Sequence, residues 1–198
     1  FGRDQFLEET DYFEREFMHR FKPDISPSDW ERERAKLADE LSAEPAVFMH
    51  RDYQSRNIII SCNEPRLIDF QTSYQGPSFY DAASLLKDPY VSLPEKTESA
   101  LLEHYYRKLS AEGGDNGHRF ADFRHLYTTA GIQRNLQALA AYAKLGFGDG
   151  KTRFLRSIRP ALILLERGAI ENGSYPGIRK MALSFLNEIS ESDLIPDN

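Results

Sequence analysis

Two short apolar runs in this chain each stop at a polar residue and a loop. Ala46-Val47-Phe48-Met49 ends at His50-Arg51-Asp52, and Arg66-Leu67-Ile68 ends at Asp69. Between them, Ile58-Ile59-Ile60 is a β-branched run and Cys62-Asn63-Glu64-Pro65 has turn chemistry. The pattern predicts a hairpin that returns the chain to the edge it left. That return brings Asp69 beside Asn57, so two oxygen donors face one place for a hard cation. The polar groups must therefore sit where rigid strands end and loops begin.

Residues 50 to 57 spell H-R-D-Y-Q-S-R-N, and Ile68-Asp69-Phe70 follows. H-x-D-x-x-x-x-N and then D-F is the spacing of kinase-type phosphoryl transfer. In that chemistry Asp52 accepts a proton from a substrate hydroxyl, while Asn57 and Asp69 hold Mg2+ against the phosphates of ATP. Taken singly, such residues cap turns, satisfy loops or pair on surfaces. Their ordered combination, each motif behind an apolar run, points to the chemistry. Two departures separate the chain from protein kinases. Gln54 stands where those enzymes place Lys, and Gln71 replaces the Gly after D-F. No A-P-E follows, and the helical run Ala82-Ala83-Ser84-Leu85-Leu86 leaves no space for a peptide-binding activation segment.

The stretch I-D-F-Q-x-x-x-x-G-P-x-x-Y-D-x-A-S-L-L, from Ile68 to Leu86, resembles the aminoglycoside phosphotransferase and choline kinase superfamily. H-R-D-Y-Q-S-R-N, L-L-K-D-P-Y and Gln133-Arg134-Asn135-Leu136-Gln137-Ala138-Leu139 resemble its bacterial branch of anomeric kinases acting on N-acetylmuramate and N-acetylglucosamine. Many aminoglycoside kinases have Gly at the position of Arg51, which also favours the sugar-kinase branch. The resemblance runs from about residue 46 to about residue 165. It implies Asp52 as catalytic base, Asn57 and Asp69 as metal ligands, Asp81 as a brace of the catalytic loop through its backbone, and His50 as a loop support. For Arg51 it leaves open a pairing with carboxylate or phosphate and a structural role. The implied fold is α+β and mostly α: a protein-kinase-like C-terminal lobe in which short catalytic β-hairpins precede a helical subdomain. Nothing in the chain resembles G-x-G-x-x-G or a V-A-I-K strand. Residues 1 to 198 are therefore expected to be a C-lobe that works with an N-terminal ATP-binding lobe the chain lacks.

Composition narrows the partners. The chain has 198 residues, a formal charge of −6 and no basic block, which disfavours nucleic acid. It has no apolar run long enough for a membrane span and no secretory leader pattern. One cysteine, Cys62, excludes an intrachain disulfide and fits a reducing cytoplasm.

Helical periodicity covers most of the remainder. Phe6, Thr10, Phe13, Phe17 and Phe21, with Leu7 and Met18, form a stripe over residues 4 to 21, a core face that is also placed to meet the second lobe. Ser26 is an N-cap ahead of Pro27, with Trp30, Leu37, Ala38 and Leu41 on the inner face and Glu31 to Arg34 on a solvated one. Further helices are expected over 79–87, 94–111, 118–145, 152–167 with a break at Pro160, and 176–190, followed by a polar, frayed tail. The acceptor, a small molecule bearing a hydroxyl and most simply a sugar, is expected between the catalytic loop and the helices after Asp81. Asp88, Tyr90, Gln133, Arg134 and Asn135 are candidate contacts, each with a structural alternative. Two rival functions remain at this stage: an aminoglycoside antibiotic kinase, favoured by an acidic pocket, and a non-catalytic pseudokinase-like binding module, disfavoured by intact Asp52, Asn57 and Asp69.

Overall fold

The computed structural model describes residues 1–91, 93–114, 116–189 and 194. The aromatic stripe forms the first helix. α1 (Arg3–Phe13) passes through a π-helical turn (Glu14–Met18) into the short α2 (His19–Phe21). Phe6, Thr10, Phe13 and Phe17 are completely buried, and Phe17 meets Phe185 edge-on at 4.9 Å between ring centroids. α3 (Pro27–Ser42) starts at Ser26, whose side chain accepts the Asp29 amide at 3.1 Å. Trp30, Leu37, Ala38 and Leu41 are buried along it. The expected solvated face is interrupted by Glu33, which is buried and accepts the amides of Gly177 and Ile178 at 2.8 Å each.

Two small antiparallel sheets follow. β1 (Ala46–Met49) pairs with β4 (Tyr74–Pro77), with Met49 opposite Tyr74. β2 (Ile58–Ser61) and β3 (Glu64–Leu67) form the expected hairpin, with Ile58 opposite Leu67. β1 and β4 are distant in sequence, so only one of the two sheets is a hairpin. A Cβ at Gly76 in β4 would lie 2.7 Å from the Met49 Cε, so the end of the Met49 side chain would have to shift to admit one.

The remaining elements are helical: α4 (Phe79–Leu86), α5 (Glu95–Ala111), α6 (Phe120–Ala143), α7 (Ile158–Asn172) and α8 (Pro176–Glu188). The molecule is thus mostly helical with two small sheets, an α+β arrangement. α6 is its axis. Every residue from Tyr127 to Leu136 is buried, so this stretch is enclosed on all faces rather than amphipathic. Two apolar clusters lie along it. One joins its C-terminal half to α7, α8 and Phe13, Phe17, Trp30 and Leu37; the other joins its N-terminal half to α4, Phe6, Leu41, Met49 and Leu102. Pro160 does not break a helix. It sits in the first turn of α7, where its missing N–H is not required, and a 3-10 segment (Thr152–Ser157) precedes it. The polar tail expected after Ser192 falls outside the described residues, except Leu194, which is buried in the core.

Apolar side chains concentrate in solvent on the two sheets, not on α1, whose aromatics are consumed by the core. Phe48 is 74% exposed, Ile60 68% and Phe70 63%, with Val47, Ile59, Leu67, Ile68 and Tyr74 also exposed.

Candidate active site

The catalytic-loop motif starts where β1 stops. His50 is buried, and its ring Nε2 lies 3.0 Å from the Ile68 carbonyl oxygen, which ties this loop to the residue before Asp69. Asp81, in the first turn of α4, accepts the amides of His50 at 2.7 Å and Arg51 at 3.0 Å with its two carboxylate oxygens. Burial pushes the Asp81 carboxyl above its ordinary range, against the opposing pull of those two amides. Asp81 thus bonds two successive amides of the loop, and His50 bonds the backbone next to Asp69.

Arg51 has φ 71°, in the left-handed region, where an L side chain costs about 1–2 kcal/mol. The conformation lets two successive amides point at Asp81. The Arg51 guanidinium lies 4.6 Å from the Phe1 ring centroid and 3.6 Å from Glu9, and it donates to the Thr72 carbonyl at 3.5 Å, just before β4.

Asp52 follows, with its side chain 41% exposed. Its carbonyl oxygen accepts the Gln54 amide and the Asn57 Nδ2, both at 2.8 Å, which closes the loop on itself. That bond fixes which way the Asn57 amide faces and leaves its oxygen for another partner. The Ile68 amide donates to the Asn57 carbonyl at 3.0 Å, so Asp69 emerges beside Asn57 at the end of the β2–β3 pair. The Asp69 carboxylate is exposed and, among the described residues, meets no donor. Two unengaged oxygen donors suit a hard cation such as Mg2+, which retains waters and takes further oxygens from bound phosphates. Among the described residues, no group of three or more His, Cys, Asp or Glu stands ready to hold a metal without such help.

The three polar residues of α6 separate. Gln133 reaches α1, donating to the Phe6 carbonyl at 2.9 Å and to Glu9 at 3.1 Å. Asn135 turns back onto the Gly131 carbonyl of its own helix. Arg134 alone approaches the loop. It is buried, with one guanidinium nitrogen 3.5 Å from the Asp52 carboxylate and the other donating to Gln137 at 3.0 Å and Tyr80 at 3.3 Å. Asp88 is buried and lies behind the loop rather than in front of it. Its oxygens accept the Ser55 amide at 2.8 Å and the Tyr90 amide at 2.9 Å, so no lone carboxylate is presented to an acceptor. Tyr90 lies under the guanidinium of Arg56, 3.5 Å from its ring centroid.

Glu9 is a site residue that the sequence reading missed. It is buried beneath the loop, and both its oxygens accept the Tyr80 hydroxyl, at 3.1 and 3.0 Å. Burial raises its carboxyl above the usual range despite Arg134, Gln133, Tyr80 and Arg51 around it. A signal was present: Glu9 stands three residues after Phe6 and four before Phe13, on the buried face of the stripe.

A half-exposed carboxylate on a braced loop, with two oxygen donors at the adjoining strand end, is the set of groups that phosphoryl-transfer enzymes use. The chain belongs to the phosphotransferase enzyme family, whose model matches residues 2–123. It is 36% identical over 129 residues to the N-acetylmuramate/N-acetylglucosamine kinase of Pseudomonas aeruginosa, covering 65% of this chain and 38% of that protein. It is 33% identical to the protein of the same name from Pseudomonas putida (68% and 40% covered), and 32% identical to that of Neisseria meningitidis serogroup B (70% and 41%). The chain spans about two fifths of the length of the curated relatives it matches.

Proposed function

We propose that this chain carries the acceptor side of an ATP-dependent small-molecule kinase that phosphorylates a hydroxyl of a sugar. The placement of Asp52 carries the reading: its carboxylate is open to solvent at the tip of a loop whose backbone is held by Asp81 on one side and Asp88 on the other. The relatives' names supply the substrate class.

In the proposed step the acceptor oxygen forms a bond to the γ-phosphorus of ATP. The bond from that phosphorus to the bridging oxygen breaks and ADP leaves. Asp52 orients the hydroxyl and takes its proton. Arg134, beside Asp52, holds the carboxylate toward the acceptor. Asn57 and Asp69 are the residues that would hold Mg2+, which when bound neutralises charge on the phosphate oxygens. The chain's own contribution is positioning, because His50, Asp81 and Asp88 set the loop before substrate arrives.

In this reading the chain is a kinase-like C-lobe, and an ATP-binding lobe sits against the exposed apolar side chains of Phe48, Ile60, Phe70 and their neighbours. No described element offers a glycine-rich phosphate cradle, so the adenine and much of the phosphate contact fall to that lobe. The cytoplasm, where ATP is plentiful, is the proposed compartment. Among the described residues no helix is long and apolar enough to cross a membrane.

A pair of variants in the full-length enzyme tests the assignment. Asp52→Asn should lower kcat on the order of 10²-fold with nucleotide affinity little changed, the behaviour of a lost general base. Asp69→Ala should instead weaken Mg2+-dependent ATP binding by calorimetry. Near wild-type turnover in Asp52→Asn would sink the reading.

A further inference from the structure

The catalytic loop hangs on one helix. Asp81, in the first turn of α4, accepts the amides of His50 and Arg51, and Asp88, just beyond the last turn, accepts the amide of Ser55. Asp52 lies in the span between these two attachments, so its carboxylate follows α4. The residue before Asp88 holds the far end of that helix. Lys87 is the C-cap residue of α4, its amide donates to the Ala83 carbonyl at 3.0 Å, and its side chain is completely buried. Its ammonium lies 2.8 Å from Glu98 of α5, 3.4 Å from Glu171 of α7 and 5.1 Å from the ring centroid of Tyr127 on α6.

Both carboxylates are themselves fixed. Glu98 accepts the Tyr127 hydroxyl at 2.9 Å and pairs with Arg167, and Glu171 accepts from Arg124 at 2.9 Å. The Lys87 stem reaches them through a gap in α6. A Cβ at Gly131 would lie 2.4 Å from the Lys87 Cδ and 2.9 Å from its Cε. Glycine is a poor helix former, yet here it stands in the middle of the central helix, where the stem passes.

Stability alone does not account for a lysine in this place. Ions taken out of water gain little net, and an apolar side chain of similar volume is often as good or better. An apolar side chain, however, makes contacts without direction. The ammonium instead meets oxygens from two helices at one point, and that point fixes where α4 ends.

We propose that Lys87 is a positioning residue for phosphoryl transfer: by pinning the end of α4 to α5 and α7 across Gly131, it holds Asp88, through Asp88 the Ser55 amide, and so the Asp52 carboxylate. The inference rests on the kinase reading, so one arm of its test needs no turnover. Three variants of the full-length enzyme are compared with wild type: Lys87→Met, Lys87→Met with Glu98→Gln, and Glu33→Ala. The double variant removes the carboxylate charge that Lys87→Met leaves unpaired, so its thermal midpoint should lie above that of Lys87→Met. Glu33→Ala is the control for lost stability, because Glu33 bonds the start of α8 and not the loop. In the first arm, kcat is measured well below every thermal midpoint. It should fall about tenfold or more in both Lys87 variants, in the double variant despite its recovered stability, and stay at the wild-type value in Glu33→Ala. In the second arm, hydrogen exchange of the amides of residues 50–57 is followed by mass spectrometry. Exchange should be faster in both Lys87 variants and unchanged in Glu33→Ala. A loop loosened in this way in an enzyme that phosphorylates no hydroxyl would sink the kinase reading and keep the anchor. A kcat that recovers with the thermal midpoint in the double variant, an equal loss of kcat in Glu33→Ala, or wild-type loop exchange in the Lys87 variants would overturn the anchor.

Discussion

Glu9 gathers groups from α1, α4, α6 and the catalytic loop around one buried carboxyl. Its arrangement has a pH consequence. Burial, the dominant cause, disfavours the charged form and raises the pKa above the usual glutamate value of 4.5; Arg134, Gln133, Tyr80 and Arg51 oppose the shift without cancelling it. An acid with a raised folded-state pKa contributes stability that is fully present below the unfolded value and is lost as pH rises through the folded one. Glu9 should therefore weaken the fold progressively as pH climbs above 4.5, and Glu9→Gln should not. The expected outcome is a thermal midpoint for wild type that falls relative to Glu9→Gln as pH rises from 4.5 toward neutral. A constant difference between the two curves would mean that the carboxyl titrates at its ordinary pKa. The Tyr80 phenol, pushed well above its range by burial and by Glu9, stays a donor throughout this window.

At the scale of elements, Glu33 shows what a helical wheel misses. Its charged neighbours Glu31, Arg32 and Arg34 suggest a solvated face, yet Glu33 crosses to α8 and caps its first turn. Two free amides at a helix N-terminus need an acceptor, and a carboxylate there also meets the helix dipole. Glu33→Ala should cost about 3 kcal/mol in urea unfolding, since hydrogen bonds to a charged group contribute about 1.5–3 kcal/mol each and do not add fully. Ser26→Ala, which removes an ordinary N-cap, should cost about 1 kcal/mol. Equal, small losses would place Glu33 in solvent. The same contrast explains what was legible. The stripe of α1, the Ser26 cap, the β2–β3 hairpin and the motif residues are local patterns, and local patterns survive into structure. β4 was not legible, because Tyr74-Gln75-Gly76-Pro77 has weak strand character and becomes a strand only by pairing with distant β1. The roles of Glu9, Glu33 and Asp88 are each set by a partner far along the chain, as is the approach of Arg134 to Asp52, which no local pattern marks.

For the whole molecule, the distribution of apolar surface is uneven. The helices spend their aromatics on two clusters along α6, while both sheets keep theirs in water. Phe48, Ile60 and Phe70 all lie in the segment that carries the two sheets, among further exposed apolar residues, and exposed apolar surface of this kind marks an interaction surface. We assign it to the ATP-binding lobe, and the assignment has a consequence for a polypeptide of residues 1–198 on its own. With the face uncovered, that polypeptide should fold around α6 but self-associate in a concentration-dependent way, visible by sedimentation velocity. Phe48→Ser with Ile60→Ser should return it to a monomer. These side chains are 74% and 68% exposed and contribute little to the core, so each change should alter stability by no more than about 0.5 kcal/mol. The thermal midpoint should then move by less than about 4 °C, given the few degrees per kcal/mol expected for a chain of this size. In the full-length enzyme the same pair should instead weaken MgATP binding, because there the face is covered and used. A polypeptide that stays monomeric at high concentration, or a full-length double variant with unchanged nucleotide affinity, would show that the lobe docks elsewhere.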